Sequence, residues 1–202
     1  MLPIITIARQ YGSGGNEIGR KLAEELGIDF YDKNILRMNS DESGIKESYF
    51  HLADEKAGSR LLYRIVSGMT PEMREPSFGS DLISADNLFR FQSEVIRKLA
   101  EQGPCVIVGR CADMVLENSV NLFIYAKMKD RIRRMNSLET GVDPVKMESR
   151  IREVDRKRKD YYQYYTGNEW GKAQNYHLSL ESGLVGVDGC LKAVLAYLES
   201  VQ

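Results

Sequence analysis

The chain has 202 residues, 43% of them hydrophobic and 28% charged, and a formal net charge of −1, which suits one α/β domain with an insertion and a sizeable core. Its three cysteines lack the spacing of a zinc site or a disulfide framework, and no apolar run approaches the length that crosses a membrane. A strand is predicted within three residues of the start, so we expect no signal peptide and a cytoplasmic location.

The first predicted elements are a strand, a glycine-rich loop and a helix. Residues 4–8 form the apolar run of a buried parallel strand, residues 10–15 are too rich in glycine for helix or sheet, and apolar residues then recur on one helical face until Gly27. Such a loop exposes backbone N–H groups, and the helix N-terminus adds about half a positive charge, so a phosphate is the expected ligand. The residues expected to hold it are Gly12, Ser13, Gly14, Gly15 and Asn16. A β–α turn without a ligand is the alternative.

This loop departs from the Walker A pattern G-x-x-x-x-G-K-[ST], in which the lysine contacts the β- and γ-phosphates and the hydroxyl holds magnesium. With Gly14 as the second glycine, Arg9 takes the place of the first glycine, Gly15 that of the lysine and Asn16 that of the hydroxyl residue. A frame on Gly14 and Gly19 is rejected because it buries the second glycine inside the helix. The pattern therefore predicts a backbone cradle without its usual cation. The side chains that can supply a cation instead are Arg9, Arg20 and Lys21.

A second short strand at residues 28–32 ends in Asp32. The carboxyl edge of an open α/β sheet is where such folds bind ligands, so Asp32 is the candidate for a magnesium ligand or for contact with an acceptor. Capping the helix that follows is an equally good interpretation of this aspartate.

Residues 38–95 are interpreted as a helical insertion between two strands of the main sheet. Their apolar residues have mixed helical spacing up to residue 80, and a clearer helix at 81–102 is ended by Gly103 and Pro104. An insertion at this point suits an acceptor-binding subdomain or flap, and a helical pair without a binding role is the alternative.

A continuous apolar run at residues 105–108 predicts a fully buried strand. Arg110 follows its carboxyl end, at the edge where the glycine loop also lies, and its guanidinium fork suits a phosphate. A salt bridge from Arg110 to Asp113 or Asp32 is the alternative.

The remaining predicted elements are a strand at 121–126, helices at 128–138 and 145–162, a strand at 176–180 and a last helix at 187–201. Twelve lysines and arginines and only six acids lie from Lys127 to Lys159, so this segment carries +6 and the rest of the chain −7. A localised positive patch points to a small polyanion rather than to nucleic acid. We therefore interpret residues 128–171 as a basic lid over phosphates, with a solvated surface hairpin as the alternative. The arginines expected to reach phosphate are Arg131, Arg134 and Arg158.

The chain resembles the cytidylate kinase-like family, a branch of the P-loop nucleoside monophosphate kinases. The resemblance rests on residues 5–36, 105–116, 130–135 and 152–171. It implies a three-layer, P-loop NTPase-type α/β fold, with a parallel sheet flanked by helices, in a single domain over residues 1–202. It also implies ATP and Mg²⁺ as cofactors, and transfer of the ATP γ-phosphate to a nucleotide such as CMP or another small phosphorylated acceptor.

Two of the family's acceptor-binding motifs have counterparts here. Arg110 matches the arginine after the third strand, although Cys111 stands where the family has an aspartate. Asp155 and Arg158 resemble the Asp-x-x-Arg pair of the family's lid, whereas Ile151 replaces a further lid arginine.

Two other functions remain open from the residues alone. A nucleotide- or phosphate-binding regulatory protein would keep the cradle without catalysis. Dinucleotide binding would use Gly12, Gly14 and Asp32, but Glu17 stands at the third glycine of that pattern. A homo-oligomer is left open.

Overall fold

The computed structural model of the protein describes residues 3–32, 85–139 and 141–201. The chain divides into two units: residues 1–33 with 99–202 form the first, and residues 34–98 the second, of which 85–98 are described. The predicted helices at 38–80 therefore lie outside the described residues.

The first unit is built on a parallel sheet. Its strands are β1 (Ile4–Arg9), β2 (Asp29–Tyr31), β3 (Cys105–Val108), β4 (Ser119–Tyr125) and β5 (Leu178–Glu181). Their order is β2-β3-β1-β4-β5, and all neighbours are parallel. The predicted α/β class with a parallel sheet is confirmed. Because β1 is central, the loop that follows it opens at the middle of the carboxyl edge.

The helices are α1 (Gly15–Leu26), α2 (Ala85–Gln102), α3 (Ala112–Val115), α4 (Met128–Leu138), α5 (Pro144–Thr166) and α6 (Ser182–Ser200), with a 3-10 turn at Ala173–Asn175. The prediction for α4 is confirmed to the residue. The long part of the last helix begins at 187, as predicted, because Gly186 breaks the helix with φ +71°. A short turn from Ser182 precedes it and was not predicted; Glu181 caps this turn at Gly183 and Leu184. The short α3 was not predicted.

Successive side chains of each strand point to opposite faces of the sheet, so a separate layer packs on each face. Ile5 and Ile7 of β1 face α1 and α6, where they form a fully buried core with Leu22 and Val194. On the opposite face, Phe123 packs against Trp170 and Tyr176, which follow α5. The aromatic residues that follow α5 therefore pack onto the sheet.

Helices α4 and α5, together called the basic hairpin, share a small hydrophobic core of their own. Met135 of α4 packs against Met147 and Ile151 of α5, and the last two are fully buried. Asp143 caps α5, accepting hydrogen bonds from the backbone N–H groups of Val145 and Lys146. Ile151 thus has a packing role where the family places an arginine.

No helix in the described part of the chain combines the length and hydrophobicity that a bilayer-spanning segment needs. The cysteines at 105, 111 and 190 are free and buried, as their apolar surroundings predict. Burial raises the pKa of the Cys105 thiol to about 11, so it stays protonated at neutral pH.

We expect Leu22→Ala to lower the free energy of unfolding by about 2–5 kcal/mol, because it leaves a cavity between α1 and the sheet. Leu138→Ala, at a leucine that is 66% exposed, is the control and should change it by less than about 0.5 kcal/mol. Urea denaturation measures both, and equal midpoints for the two variants would contradict the packing described.

Candidate functional site

The loop between β1 and α1 is held in one conformation from both ends. Gly12 and Gly14 have φ +77° and +83°, which favour glycine. The Ser13 hydroxyl donates to the carbonyl oxygen of Gln10 at 2.9 Å, and the Ser13 carbonyl accepts a hydrogen bond from the Ser182 hydroxyl at 2.6 Å. The loop is therefore organised before any ligand binds.

The N-terminus of α1 points its N–H groups into this loop. The first helical bond joins the Ile18 N–H to the Gly14 carbonyl, so the three N–H groups before it have no partner within the helix. Among the described residues, no side chain caps this end. The turn from Gly14 to Glu17 thus offers backbone donors to an anion.

Helix α4 lies directly against the two loop glycines. A Cβ on Gly12 would lie 3.0 Å from Met135 Cγ and 3.2 Å from Arg131 Cβ, and a Cβ on Gly14 would lie 3.1 Å from the guanidinium carbon of Arg134. Arg131 is buried and donates to the Tyr11 carbonyl at 3.4 Å. Both predicted α4 arginines therefore reach the loop.

Helix α5 also contacts the loop through charged side chains. The Asp155 carboxylate accepts a hydrogen bond from the Tyr11 N–H at 2.7 Å and forms an ion pair with Arg131. Arg158 donates to the Arg9 carbonyl at 3.1 Å, and its guanidinium carbon is 5.6 Å from the centre of the Tyr11 ring. The structure thus brings the predicted lid residues to one loop.

The carboxyl end of β3 adds a further basic position. The Arg9 guanidinium packs on Gly109, where a Cβ would overlap Arg9 Nη1. Arg110 follows, and it and Cys111 have positive φ, +61° and +53°. Two such non-glycine residues in succession are uncommon, and strained backbone of this kind clusters at functional sites.

Asn16 and Asp32 also lie together at this edge. The Asn16 amide donates to the buried Asp32 carboxylate at 3.1 Å. Amide and carboxylate oxygens suit Mg²⁺, so the chemistry of this pair fits the ion. The described residues contain no group of three metal-binding side chains, so phosphate oxygens and water would have to complete its coordination.

The two other predicted cations make contacts away from the loop. Lys21 forms a salt bridge with Asp188 of α6 at 2.7 Å, and both side chains are exposed. The guanidinium carbon of Arg20 lies 5.8 Å from the centre of the Phe30 ring. Neither contact involves residues 10–16.

A cavity of about 280 Å³ adjoins the loop on the side of β5. It lies between Arg133 and Arg134 of α4 and the start of α6 at Gly183 and Gly186, with Gly12 on its wall. Sequence reasoning missed the α6 residues. The signal that could have found them is the pair of glycines three residues apart just after a predicted strand.

Asp113, three residues after Arg110, makes a structural contact with α5. Asp113 accepts a hydrogen bond from the Tyr162 hydroxyl of α5 at 2.7 Å. Burial raises the pKa of Asp113, and this hydrogen bond acts in the opposite direction. Burial and the nearby carboxylate also raise the pKa of Tyr162. The pair ties the end of α5 to the segment after β3.

Solved structures similar to this chain show the same fold. An uncharacterized protein of Eubacterium ventriosum has a TM-score of 0.70 and 27% identity, with 99% of each chain covered. A shikimate kinase of Acinetobacter baumannii, in complex with shikimate, has a TM-score of 0.54 and 13% identity, covering 100% of this chain and 96% of its own. A gluconokinase of Sinorhizobium meliloti has a TM-score of 0.51 and 12% identity, with 99% and 96% covered. No curated protein matches the chain.

The parallel sheet with a glycine loop at the end of β1 gives the chain the same α/β fold as these two solved kinases. The cytidylate kinase-like family model matches residues 4–184, so the chain belongs to that family. The resemblance stated from the sequence is thereby confirmed.

We expect Tyr162→Phe to raise the pKa of Asp113 further, because it removes the hydroxyl that donates to the carboxylate. An acid whose pKa is raised in the folded state stabilises the fold at low pH. This contribution is lost as the pH rises through the pKa that the group has in the folded protein. The variant should thus lose about 1–3 kcal/mol of stability near pH 7 and less near pH 4.

Urea unfolding across this pH range measures the difference. Tyr164→Phe, on the exposed side of the same helix, is the control and should leave stability unchanged. A loss that is the same at every pH would contradict the role of Asp113.

Proposed function

We propose that the protein is a phosphotransferase of the nucleoside monophosphate kinase type that moves the ATP γ-phosphate to a small phosphorylated acceptor, such as CMP. The observation that carries the proposal is the set of arginines around one glycine loop. Arg9, Arg131, Arg134 and Arg158 each contact a residue between positions 9 and 15. Phosphoryl transfer needs chiefly such positioning and neutralisation of charge, without a covalent nucleophile.

The backbone donors of residues 12–16 would hold the donor phosphates, and the cavity beside Arg134 has room for part of its nucleoside. Arg131 and Asp155 together orient the loop through Tyr11. Arg158 and Arg110, which match the family's acceptor-binding motifs, would bind the acceptor. When bound, Mg²⁺ supplies positive charge to the phosphate oxygens, and Asp32 and Asn16 would hold it. Arg20 and Lys21 have no part in this arrangement.

A nucleotide-binding regulatory protein is the second candidate. The observation in its favour is that Gly15 and Asn16 stand where the lysine and hydroxyl of the Walker A pattern act. Such a protein would bind ATP and release no ADP above background. A measurement of turnover distinguishes the two functions, whereas a measurement of ATP binding does not.

We expect ADP release from ATP and Mg²⁺ to be stimulated strongly by one compound in a panel of CMP, UMP, AMP, GMP and their deoxy forms. A coupled assay measures this release, and chelation of the metal should abolish it. Typical turnover for kinases is about 1–100 s⁻¹. ATP binding by calorimetry without stimulation by any acceptor would overturn the phosphotransferase and leave the regulatory protein.

We expect Gly14→Ala to weaken ATP binding at least about tenfold, because the added methyl is strained at positive φ and crowds Arg134. Gly27→Ala is a matched control at the other end of α1, with φ +64° and no described atom within 4 Å of the new Cβ. It carries similar backbone strain and should bind ATP like the wild type. Equal losses of affinity would show that the effect is on the fold and not on the loop.

A further inference from the structure

Two positions of the glycine loop have exchanged residue types. In the Walker A frame on Gly14, the first position holds Arg9 where the pattern has glycine, and the seventh holds Gly15 where the pattern has lysine. Either change alone would look like decay of the motif. Together they keep one cation and one glycine at the same pair of positions.

The backbone allows only one of the two positions to carry a side chain. A Cβ built on Gly15 would lie 2.6 Å from Arg9 Cβ and 3.0 Å from Arg9 Cγ. It would also lie 3.3 Å from Cβ of Ile124, which is fully buried on β4. The Cβ of Arg9 is fixed by its strand and cannot turn away as the tip of a side chain can. A residue larger than glycine at 15 therefore requires a smaller residue at 9.

The Arg9 side chain crosses from the end of β1 to the end of β3. Its guanidinium packs on Gly109, which has φ +83° and leaves the space that a Cβ would fill. Arg158 of α5 donates to the carbonyl of the same arginine. The guanidinium thus lies between the carboxyl ends of two adjacent central strands, beside the loop, where open α/β sheets bind their ligands.

We propose that Arg9 replaces the loop lysine as the cation for the donor phosphates and that Gly15 is glycine to make room for it. Because this role rests on the proposed donor site, Arg9 acts there on ATP or on any polyphosphate that the loop holds. The guanidinium fork makes two parallel hydrogen bonds to phosphate oxygens, whereas a lysine acts as a point charge. The loop is then a rearranged site and not a degenerate one.

The test compares the wild type with Arg9→Gly, Gly15→Lys and the double variant that carries both changes. Thermal unfolding without ligand and calorimetry with ATP and Mg²⁺ are measured for each protein. Arg9→Gly should fold and bind ATP about ten- to a hundredfold more weakly. Gly15→Lys should unfold at a lower temperature, because its Cβ overlaps that of Arg9.

The double variant should regain the unfolding temperature and bind ATP within about threefold of the wild type. Arg156→Ala removes one exposed positive charge from α5 and controls for net charge; its affinity should not change. Additive losses in the double variant, or wild-type affinity in Arg9→Gly, would overturn the role of Arg9.

The outcomes separate this role from the proposed function. Loss of ATP binding in Arg9→Gly, in a protein that turns over no acceptor, would support the role of Arg9 and overturn the phosphotransferase. Unchanged turnover in Arg9→Gly would overturn the role of Arg9 and support the phosphotransferase. A wild type that binds neither ATP nor inorganic tripolyphosphate would overturn both.

Discussion

The absence of side chains at Gly12 and Gly14 is the constraint on which the site depends. It lets α4 approach the loop so closely that Arg131, Arg134 and Met135 lie against backbone. A Cβ at Gly12 would press on Met135 and on the backbone of Arg131, and one at Gly14 would crowd the Arg134 guanidinium. Both positions also have the positive φ that other residues rarely adopt. The same feature therefore shapes the anion cradle and brings cations to it.

The two arginines of α4 that lie against the loop are each paired with an acid. Arg131 is paired with Asp155, and Arg134 with Glu17 of α1. A buried arginine without a partner would be costly, so these carboxylates stabilise the closed contact between helices and loop. The net positive charge of the hairpin therefore makes the electrostatic potential positive across the site, even though individual arginines are paired with acids.

Much of the fold followed from local pattern. The apolar run at 105–108, the helix at 128–138 and the strand–loop–helix order at the start are each encoded in a few neighbouring residues, and all three are present. The contacts that decide which side chains belong to the site are not local. The pairing of Lys21 with Asp188 spans 167 positions, and the overlap of Arg9 with a side chain at 15 appears only once both backbones are placed. The short turn before residue 187 was missed because Glu181 caps it from outside the helix, a contact that the apolar pattern does not show.

The hydrogen bond between Tyr162 and Asp113 lies near the C-terminal end of α5, whereas Asp155 and Arg158 contact the loop about one to two turns earlier. Helix α5 therefore ties the loop after β1 to the segment after β3 through contacts about two turns apart. The aromatic residues beyond α5 pack on the sheet at Phe123, so the position of this helix end relative to the sheet also fixes where its other contacts meet the loop.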